Sequence, residues 1–263
     1  MAVFRIAFAS ETLFRTVNLN VIVPVETYGR TDVKKPEKFK TLYLLHGFGG
    51  SQDDWMDYSN LRAISEKYNL AIVLPSGENS FYENMNSIAG RYSDFTGKEI
   101  VDFTRRMFPL SERREDTYIG GLSMGGFGAL RLGSLYHETF GKLFTLSGAF
   151  IIDKISGQKA GYSDSIADYD YYTQIFGDLN QLDESENNPE YLVKERVKKE
   201  EMIQPVFMAC GSEDFLIEEN HEFRDFLIEN GVNVTYRESP GIHEWKFWNE
   251  YLEPAVRWAL GEE

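Results

Sequence analysis

The sequence predicts an α/β fold, a mainly parallel central sheet flanked by helices and interrupted by one cap-like insertion. Three features point there. Apolar, strand-like segments alternate with helical patterns three times over, the order that builds a parallel sheet from strand, helix, strand units. LAIVLPS, residues 70–76, runs apolar without alternation, as a strand buried on both faces does. Residues 151–203, rich in Asp, Glu, Lys, Asn and Tyr, then break the alternation over a length more typical of an inserted cap than of a loop.

Taken in order, FRIAFAS and LFRTVNLNVIVPV read as two early strands forming an antiparallel pair. The polar linker TDVKKPEKFK leads into the strand KTLYLLHG, which the turn signal GFGGSQDD closes. Ser59 is placed to cap a helix through LRAISEKY, ahead of the strand LAIVLPS. FTGKEIVDFTRRMF carries Ile100, Val101, Phe103, Met107 and Phe108 at helical spacing, and Pro109 ends it. DTYIGG, FGALRLGSLYH and KLFTLSG repeat the strand, helix, strand unit. After the insertion come the strand PVFMACG, a helix in IEENHEFRDFLIEN stopped by Gly231, the strand VNVTYRES and a last helix in EWKFWNEYLEPAVRWAL. No internal repeat or low-complexity tract is present in the sequence.

Composition narrows the function classes. A chain of 263 residues can bury a full core as one large domain, and 42% hydrophobic against 26% charged residues is ordinary globular usage. With 27 Lys and Arg against 42 Asp and Glu, the net charge of −15 repels nucleic-acid phosphates and anionic lipid, so neither is an expected partner. One cysteine, Cys210, excludes an intramolecular disulfide, and the first residues lack the pattern of a signal peptide, which leads to the expectation of a cytoplasmic protein. No apolar run is long enough for a membrane span.

The chemistry concentrates at TYIGGLSMGGFGAL, where Ser123 stands in a GxSxG pattern between a predicted strand and a predicted helix. A serine at such a sharp turn sits in strained backbone with its hydroxyl aimed outward above the sheet. Its neighbours two positions away must therefore be small. A hydroxyl is a poor nucleophile near neutral pH and needs a base, which in turn needs an orienting carboxylate. In this nucleophile-elbow architecture the chain order is serine, acid, histidine. That sets aside His46 and His137 as bases. Of the two that remain, His221 falls inside a predicted helix, whereas His243, in SPGIHEW, falls in the loop between the last strand and the last helix and is the expected base. For the acid, PVFMACGSEDF offers Glu213 and Asp214. Asp214 is the better match to the turn after the strand, and Glu213 reads as a surface residue. The oxyanion donors are expected from the backbone N–H groups of Met124, at the helix start, and Phe48, in LLHGFGG, with His46 in a supporting role.

YLLHGFGGSQDDW, GLSMGGFGAL, GSEDFL and GIHEWKFW, in this order and over most of the chain, resemble the esterase D family of α/β-hydrolases, and within it the tributyrin esterase type. Feruloyl and acetylxylan esterases of carbohydrate esterase family one, bacterial mycolyltransferases and S-formylglutathione hydrolases share the plan. The resemblance implies an α/β-hydrolase fold, a triad at Ser123, Asp214 and His243 and an oxyanion hole at Phe48 and Met124. It implies a serine carboxylesterase acting on short-chain acyl esters. GIHEWKFW and GLSMGGFG depart from the segments usual in the glutathione thioesterases.

Several readings stay open at this level. The substrate is a small-molecule or carbohydrate-linked ester, with feruloyl, acetylxylan or S-formylglutathione hydrolysis as alternatives, and acyl transfer or a catalytically silent binding module as further ones. Tyr82 and the tyrosines of YSDSIADYDYYTQIF either line an aromatic pocket or belong to the cap surface, while Trp55 and Trp245 either narrow the acyl pocket or anchor the helices they precede. Phe247 and Trp248 read as core. No metal or organic cofactor is called for, since no CxxC or HExxH occurs. A homo-oligomer is compatible with the sequence, but nothing in it specifies one.

Overall fold

The computed structural model describes residues 1–25 and 36–262. Its two early strands, β1 (Ala2–Ser10) and β2 (Arg15–Val23), pair antiparallel with Ile6 opposite Leu19. Of the linker TDVKKPEKFK, the part up to position 35 lies outside the described residues. β3 (Lys40–Leu45) is followed by α1 (Asp54–Tyr58), α2 (Leu61–Tyr68) and β4 (Leu70–Pro75). Ser59 is not the N-cap of α2, which is Asn60. Its hydroxyl donates to the Trp55 carbonyl and accepts the Leu61 N–H at 3.2 Å, so it staples the end of α1 to the start of α2.

The helix expected in FTGKEIVDFTRRMF begins earlier, as α3 (Tyr92–Asp94). A π-helical turn (Phe95–Glu99) carries it into α4 (Ile100–Met107), which stops ahead of Pro109. β5 (Thr117–Leu122), α5 (Met124–Leu135) and β6 (Lys142–Leu146) complete the first parallel half. The segment 151–203 is helical in pieces: α6 (Ile152–Ile155), α7 (Tyr169–Phe176), a 3-10 turn at Leu179–Glu184 and α8 (Pro189–Lys198). Local capping explains why so polar a stretch forms helices, since Asp168 and Asn188 each accept a first-turn N–H with their side chains and Pro189 stands at the start of α8. β7 (Val206–Gly211), α9 (Ile217–Glu229), β8 (Val234–Ser239) and α10 (Trp245–Leu260) follow.

The eight strands lie in the order β1-β2-β4-β3-β5-β6-β7-β8. β2 meets β4 antiparallel and every later pair is parallel. This is the α/β-hydrolase sheet the sequence predicts. Two apolar layers cover it. Leu42, Leu44, Ile72, Phe144 and Phe207 face Trp55, Ile64, Phe247, Leu252 and Trp258 of α1, α2 and α10. Tyr43, Val73, Ile119 and Met208 face Phe127, Leu130, Phe223 and Leu227 of α5 and α9, with Ile155, Tyr172 and Phe176 of the 151–203 segment in the same layer. Burial on both faces is why β4, β5 and β7 are buried at every position and carry no polar alternation.

A buried side chain of α5 reaches into the 151–203 segment. Arg131 of α5 donates to the Glu186 carbonyl at 2.9 Å and the Ser93 hydroxyl at 3.0 Å, and faces the carboxylate of buried Glu83 at 2.8 Å. Among the described residues, no helix is long and apolar enough to cross a membrane.

Candidate active site

Ser123 stands between β5 and α5 with φ 53° and ψ −121°. A non-glycine residue holds such a conformation only where its surroundings over-determine it. Here the Ser123 N–H donates to the Leu146 carbonyl of β6 at 2.9 Å, while its carbonyl accepts the N–H groups of Gly126, Phe127 and Ala149. The flanking glycines let the turn press on β3: a Cβ on Gly125 would meet the carbonyl oxygens of Leu45 and His46 at 2.5 and 2.6 Å, and one on Gly121 would strike the Gly125 carbonyl.

The structure brings Asp214 and His243 to the hydroxyl so presented. His243 Nε2 is 3.0 Å from Ser123 Oγ, and His243 Nδ1 is 2.9 Å from Asp214 Oδ2 and 3.1 Å from Oδ1. Asp214 follows β7 and is only 2% exposed. Burial works against its charge, but the hydrogen bond from His243, the charge of that imidazole, the Leu216 N–H at 2.9 Å and the Ser147 hydroxyl outweigh it and hold the carboxyl below its ordinary range. The Leu216 bond also means that Asp214 supports the start of α9 while facing His243. With Asp214 ionised, Nδ1 carries the imidazole proton and Nε2 is left to accept from Ser123.

The other candidates are engaged elsewhere. Glu213 accepts the Gly241 N–H at an exposed position, and His221 pairs with Glu238 at 2.6 Å. Buried His46 accepts the Gly77 N–H on Nε2 and donates from Nδ1 to the Gly47 carbonyl, both at 2.8 Å, with burial pushing its pKa down. A neutral imidazole thus fastens the loop after β3 to the loop after β4.

Met124 is the first residue of α5, where an α-helix leaves its N–H groups without an intrahelical acceptor. Phe48 lies in the loop after β3, which touches the serine turn: a Cβ on Gly47 would meet Leu122 Cδ1 at 2.6 Å and Ser123 Cβ at 3.5 Å. The Gly49 N–H donates to Asn79 Oδ1 at 2.7 Å, which steadies the same loop.

Of the aromatic residues weighed for substrate contact, two are not at the surface of the cleft. Tyr82 is fully buried, its hydroxyl donating to the His46 carbonyl at 3.0 Å, because a Cβ-less Gly128 lets its ring pack onto α5. Trp55 is buried too, with Nε1 donating to the Leu45 carbonyl at 3.0 Å. Trp245 is half-buried and edge-on to Trp55 at 5.1 Å, an anchor for α10. Of the tyrosines in the 151–203 segment, Tyr171 packs edge-on to Phe48 at 5.7 Å and donates to the Asn79 carbonyl, while Tyr172 is buried against Asp164.

Three rings that the sequence reading did not weigh for contact at the site stand there. Phe215, 57% exposed, lies 4.7 Å from the His243 ring, and its position directly after Asp214 was the available signal. Phe48, weighed only for its backbone, offers a ring 42% exposed. Trp248, read as core, is buried yet meets His243 edge-on at 5.0 Å. Among the described residues no group of three His, Cys, Asp or Glu is arranged to hold a metal ion.

Comparison with known proteins agrees with this chemistry. The Esterase family model matches residues 10–259. The chain is 42% identical over 260 residues to an acetyl esterase of Caldicellulosiruptor saccharolyticus, covering 98% of both chains. It is similar to fluorophosphonate-binding serine hydrolase F of Staphylococcus aureus, at 28% identity and a TM-score of 0.86 over 98% of both chains. The S-formylglutathione hydrolase of the same organism is similar at 28% identity and a TM-score of 0.83, again over 98% of both.

Proposed function

The chain belongs to the esterase family and is a serine carboxylesterase, and from that premise we propose that it hydrolyses short-chain acyl esters, acetyl and butyryl among them, through Ser123, His243 and Asp214. The observation that carries the proposal is the unbroken run of contacts from Asp214 through both nitrogens of His243 to Ser123 Oγ, each at 2.9–3.0 Å by its shorter distance. The acetyl esterase relative supports a small acyl group.

His243 Nε2 takes the proton of Ser123 as its oxygen attacks the ester carbonyl. Asp214 stabilises the imidazolium and keeps the proton on Nδ1. The tetrahedral oxyanion accepts hydrogen bonds from the backbone N–H groups of Met124 and Phe48, donors that need no reorganisation because a helix start and a loop pinned by His46 and Asn79 hold them. His243 then returns its proton to the alcohol oxygen, which leaves. Water, deprotonated by the same nitrogen, attacks the acyl-enzyme and frees Ser123. Exposed Phe215 beside His243, and exposed Phe48 with half-buried Tyr171 against it, offer the apolar surface for the ester.

Release of p-nitrophenol from acetyl, butyryl and octanoyl esters tests both halves of the reading. The parent is expected to act on the two shorter esters and Ser123→Ala on none. A parent inactive on every ester ends the substrate proposal, and an active alanine variant ends the assignment of the nucleophile. S-Formylglutathione and methyl ferulate in the same panel separate the thioester and aryl-ester alternatives.

A further inference from the structure

The loop after β4 holds three non-glycine residues in the left-handed region: Glu78 at φ 48°, Phe81 at φ 49° and Tyr82 at φ 58°. Backbone of this kind persists only where its surroundings over-determine it. Here Phe81 is buried against Phe127 of α5 at 5.6 Å and Phe176 of α7 at 5.3 Å, and the Tyr82 hydroxyl is engaged by the His46 carbonyl. Within this strained and well-held stretch stands Asn79, an exposed residue.

Asn79 is bonded in two directions. Its side-chain Oδ1 accepts the Gly49 N–H at 2.7 Å, and its backbone carbonyl accepts the Tyr171 hydroxyl at 2.6 Å. The first bond reaches the loop after β3. There the Gly50 N–H donates to the Gly47 carbonyl at 3.2 Å, which closes a turn with Phe48 and Gly49 as its central residues, Gly49 being left-handed at φ 74°. Turns that share this closing bond differ in the orientation of the central peptide, which the bond itself does not fix. In this turn the central peptide joins Phe48 to Gly49, and its N–H is the one that Asn79 holds. The Phe48 N–H expected at the oxyanion belongs to the adjoining peptide, one Cα away. The second bond reaches α7 of the 151–203 segment, where the Tyr171 ring also meets the Phe48 ring edge-on at 5.7 Å.

We propose that Asn79 is a positioning residue for the oxyanion loop and that Tyr171 makes the 151–203 segment part of the same support, its hydroxyl fixing the backbone from which the Asn79 amide reaches Gly49. The proposal rests on the reading of the Phe48 N–H as an oxyanion donor. It gives the inserted segment a part in the chemistry without touching a reacting atom: the Tyr171 ring faces Phe48 while its hydroxyl steadies the turn.

The test compares Asn79→Ala, Asn79→Asp, Tyr171→Phe and the combined Asn79→Ala, Tyr171→Phe protein with the parent. The readouts are kcat and KM on p-nitrophenyl acetate, affinity for a short-chain trifluoromethyl ketone whose adduct with Ser123 places an oxyanion in the hole, and hydrogen exchange at the Gly49 amide. Loss of one hydrogen bond predicts a fall in kcat of about 3- to 10-fold for Asn79→Ala at nearly constant KM, with ketone affinity falling by the same factor. Asn79→Asp keeps an acceptor for the Gly49 N–H at an exposed, salt-screened position and should recover the parental kcat to within about twofold. Tyr171→Phe keeps the ring on Phe48 and should lose about 2- to 5-fold. The combined protein should lose no more than Asn79→Ala alone, since the hydroxyl acts through the amide. Gly49 exchange should be faster in Asn79→Ala and Tyr171→Phe and parental in Asn79→Asp. Parental kcat and ketone affinity in Asn79→Ala overturn the proposal, as does a combined loss equal to the product of the single ones or a slowed variant with unchanged Gly49 exchange. If Asn79→Ala does not fold, Tyr171→Phe decides by the same readouts. A parent that hydrolyses no ester fails the proposed function itself, and Gly49 exchange in the variants still decides whether Asn79 and Tyr171 hold the loop.

Discussion

Gly125 of the nucleophile turn lies against Leu45, the last residue of β3, so closely that a Cβ on the glycine would sit 2.5 Å from the Leu45 carbonyl oxygen and 2.6 Å from that of His46. Both obstacles are backbone at the end of β3, with no flexible side-chain end to swing away. Gly125→Ala is therefore expected to displace Ser123 and the loop carrying Phe48 together, costing about 2 kcal/mol or more of stability, of the order seen on overpacking. Thermal melting would detect the loss, and titration of the reactive serine with a fluorophosphonate would show a reduced active fraction. Parental values in both would mean the turn is not held as described.

Asp214→Asn isolates the carboxylate charge from its shape. The amide oxygen can still accept the Leu216 N–H, so α9 should start normally and the fold should survive. An amide N–H facing Nδ1, however, forces the imidazole proton onto Nε2, where it cannot take the proton of Ser123. A fall in kcat of about 10³- to 10⁴-fold on p-nitrophenyl acetate is expected, the size associated with the wrong tautomer in a Ser-His-Asp triad. A fall of less than tenfold would assign the orienting role to another group.

Chain order alone sets aside only His46 and His137. The choice of His243 over His221 and of Asp214 over Glu213 comes from their places in loops after strands. The structure puts both near Ser123 because the parallel sheet gathers such strand ends at one rim. The aromatic residues were harder to read. Whether a ring next to a site residue in sequence faces the cleft depends on which loop folds over it. Tyr82 turns inward because Gly128 leaves room on α5, and Trp55 turns inward because α1 packs under β3. Trp248 looked like core and is core. Its second role arises because the first turn of α10 passes beneath His243, a tertiary fact with no local signature. The π-turn at Phe95–Glu99 likewise left no mark in the helical spacing around it.

The burial of Tyr82 carries its own test. Tyr82→Phe removes only the bond to the His46 carbonyl and leaves the ring in place, so a cost of about 1 kcal/mol with little change in KM is expected. Tyr82→Ala opens a cavity between Gly77 and Gly128 and should cost about 3–5 kcal/mol. Denaturant unfolding of the two variants measures the difference. A large rise in KM for Tyr82→Phe would return this residue to the substrate pocket.

Phe48 separates backbone from side chain at the oxyanion loop. Phe48→Ala keeps the N–H that is to bind the oxyanion and removes an exposed ring that meets Tyr171. Chemistry on the acetyl ester should then proceed with kcat within about threefold of the parent, while KM for the butyryl ester rises as apolar contact is lost, about tenfold if 1–2 kcal/mol of burial goes. Initial rates across the two esters measure the split. A collapse of kcat on the acetyl ester would show that the ring, and not His46 and Asn79, holds the loop in place.

Glu83 and Arg131 meet at 2.8 Å in the interior, yet neither carboxylate oxygen makes an aligned hydrogen bond among the described residues. Burial therefore prevails over the nearby guanidinium and pushes Glu83 from about 4.5 up to about 8. A carboxyl whose pKa is raised on folding binds its proton more tightly in the native state. Its stabilising protonation is fully present below the unfolded pKa and is lost as pH rises through the folded one. Stability should accordingly decline between about pH 5 and pH 9, beyond the decline due to net negative charge alone. Glu83→Gln carries no titrating proton and removes that component. Melting temperatures of parent and variant should converge at pH 5 and separate progressively toward pH 9, with the glutamine protein the more stable there. Because Arg131 also holds Ser93 and Glu186, the same pH rise should loosen the 151–203 segment, read as faster amide exchange in α8 of the parent than of the variant. Parallel curves for the two proteins would place Glu83 as an ionised partner of Arg131 at all these pH values.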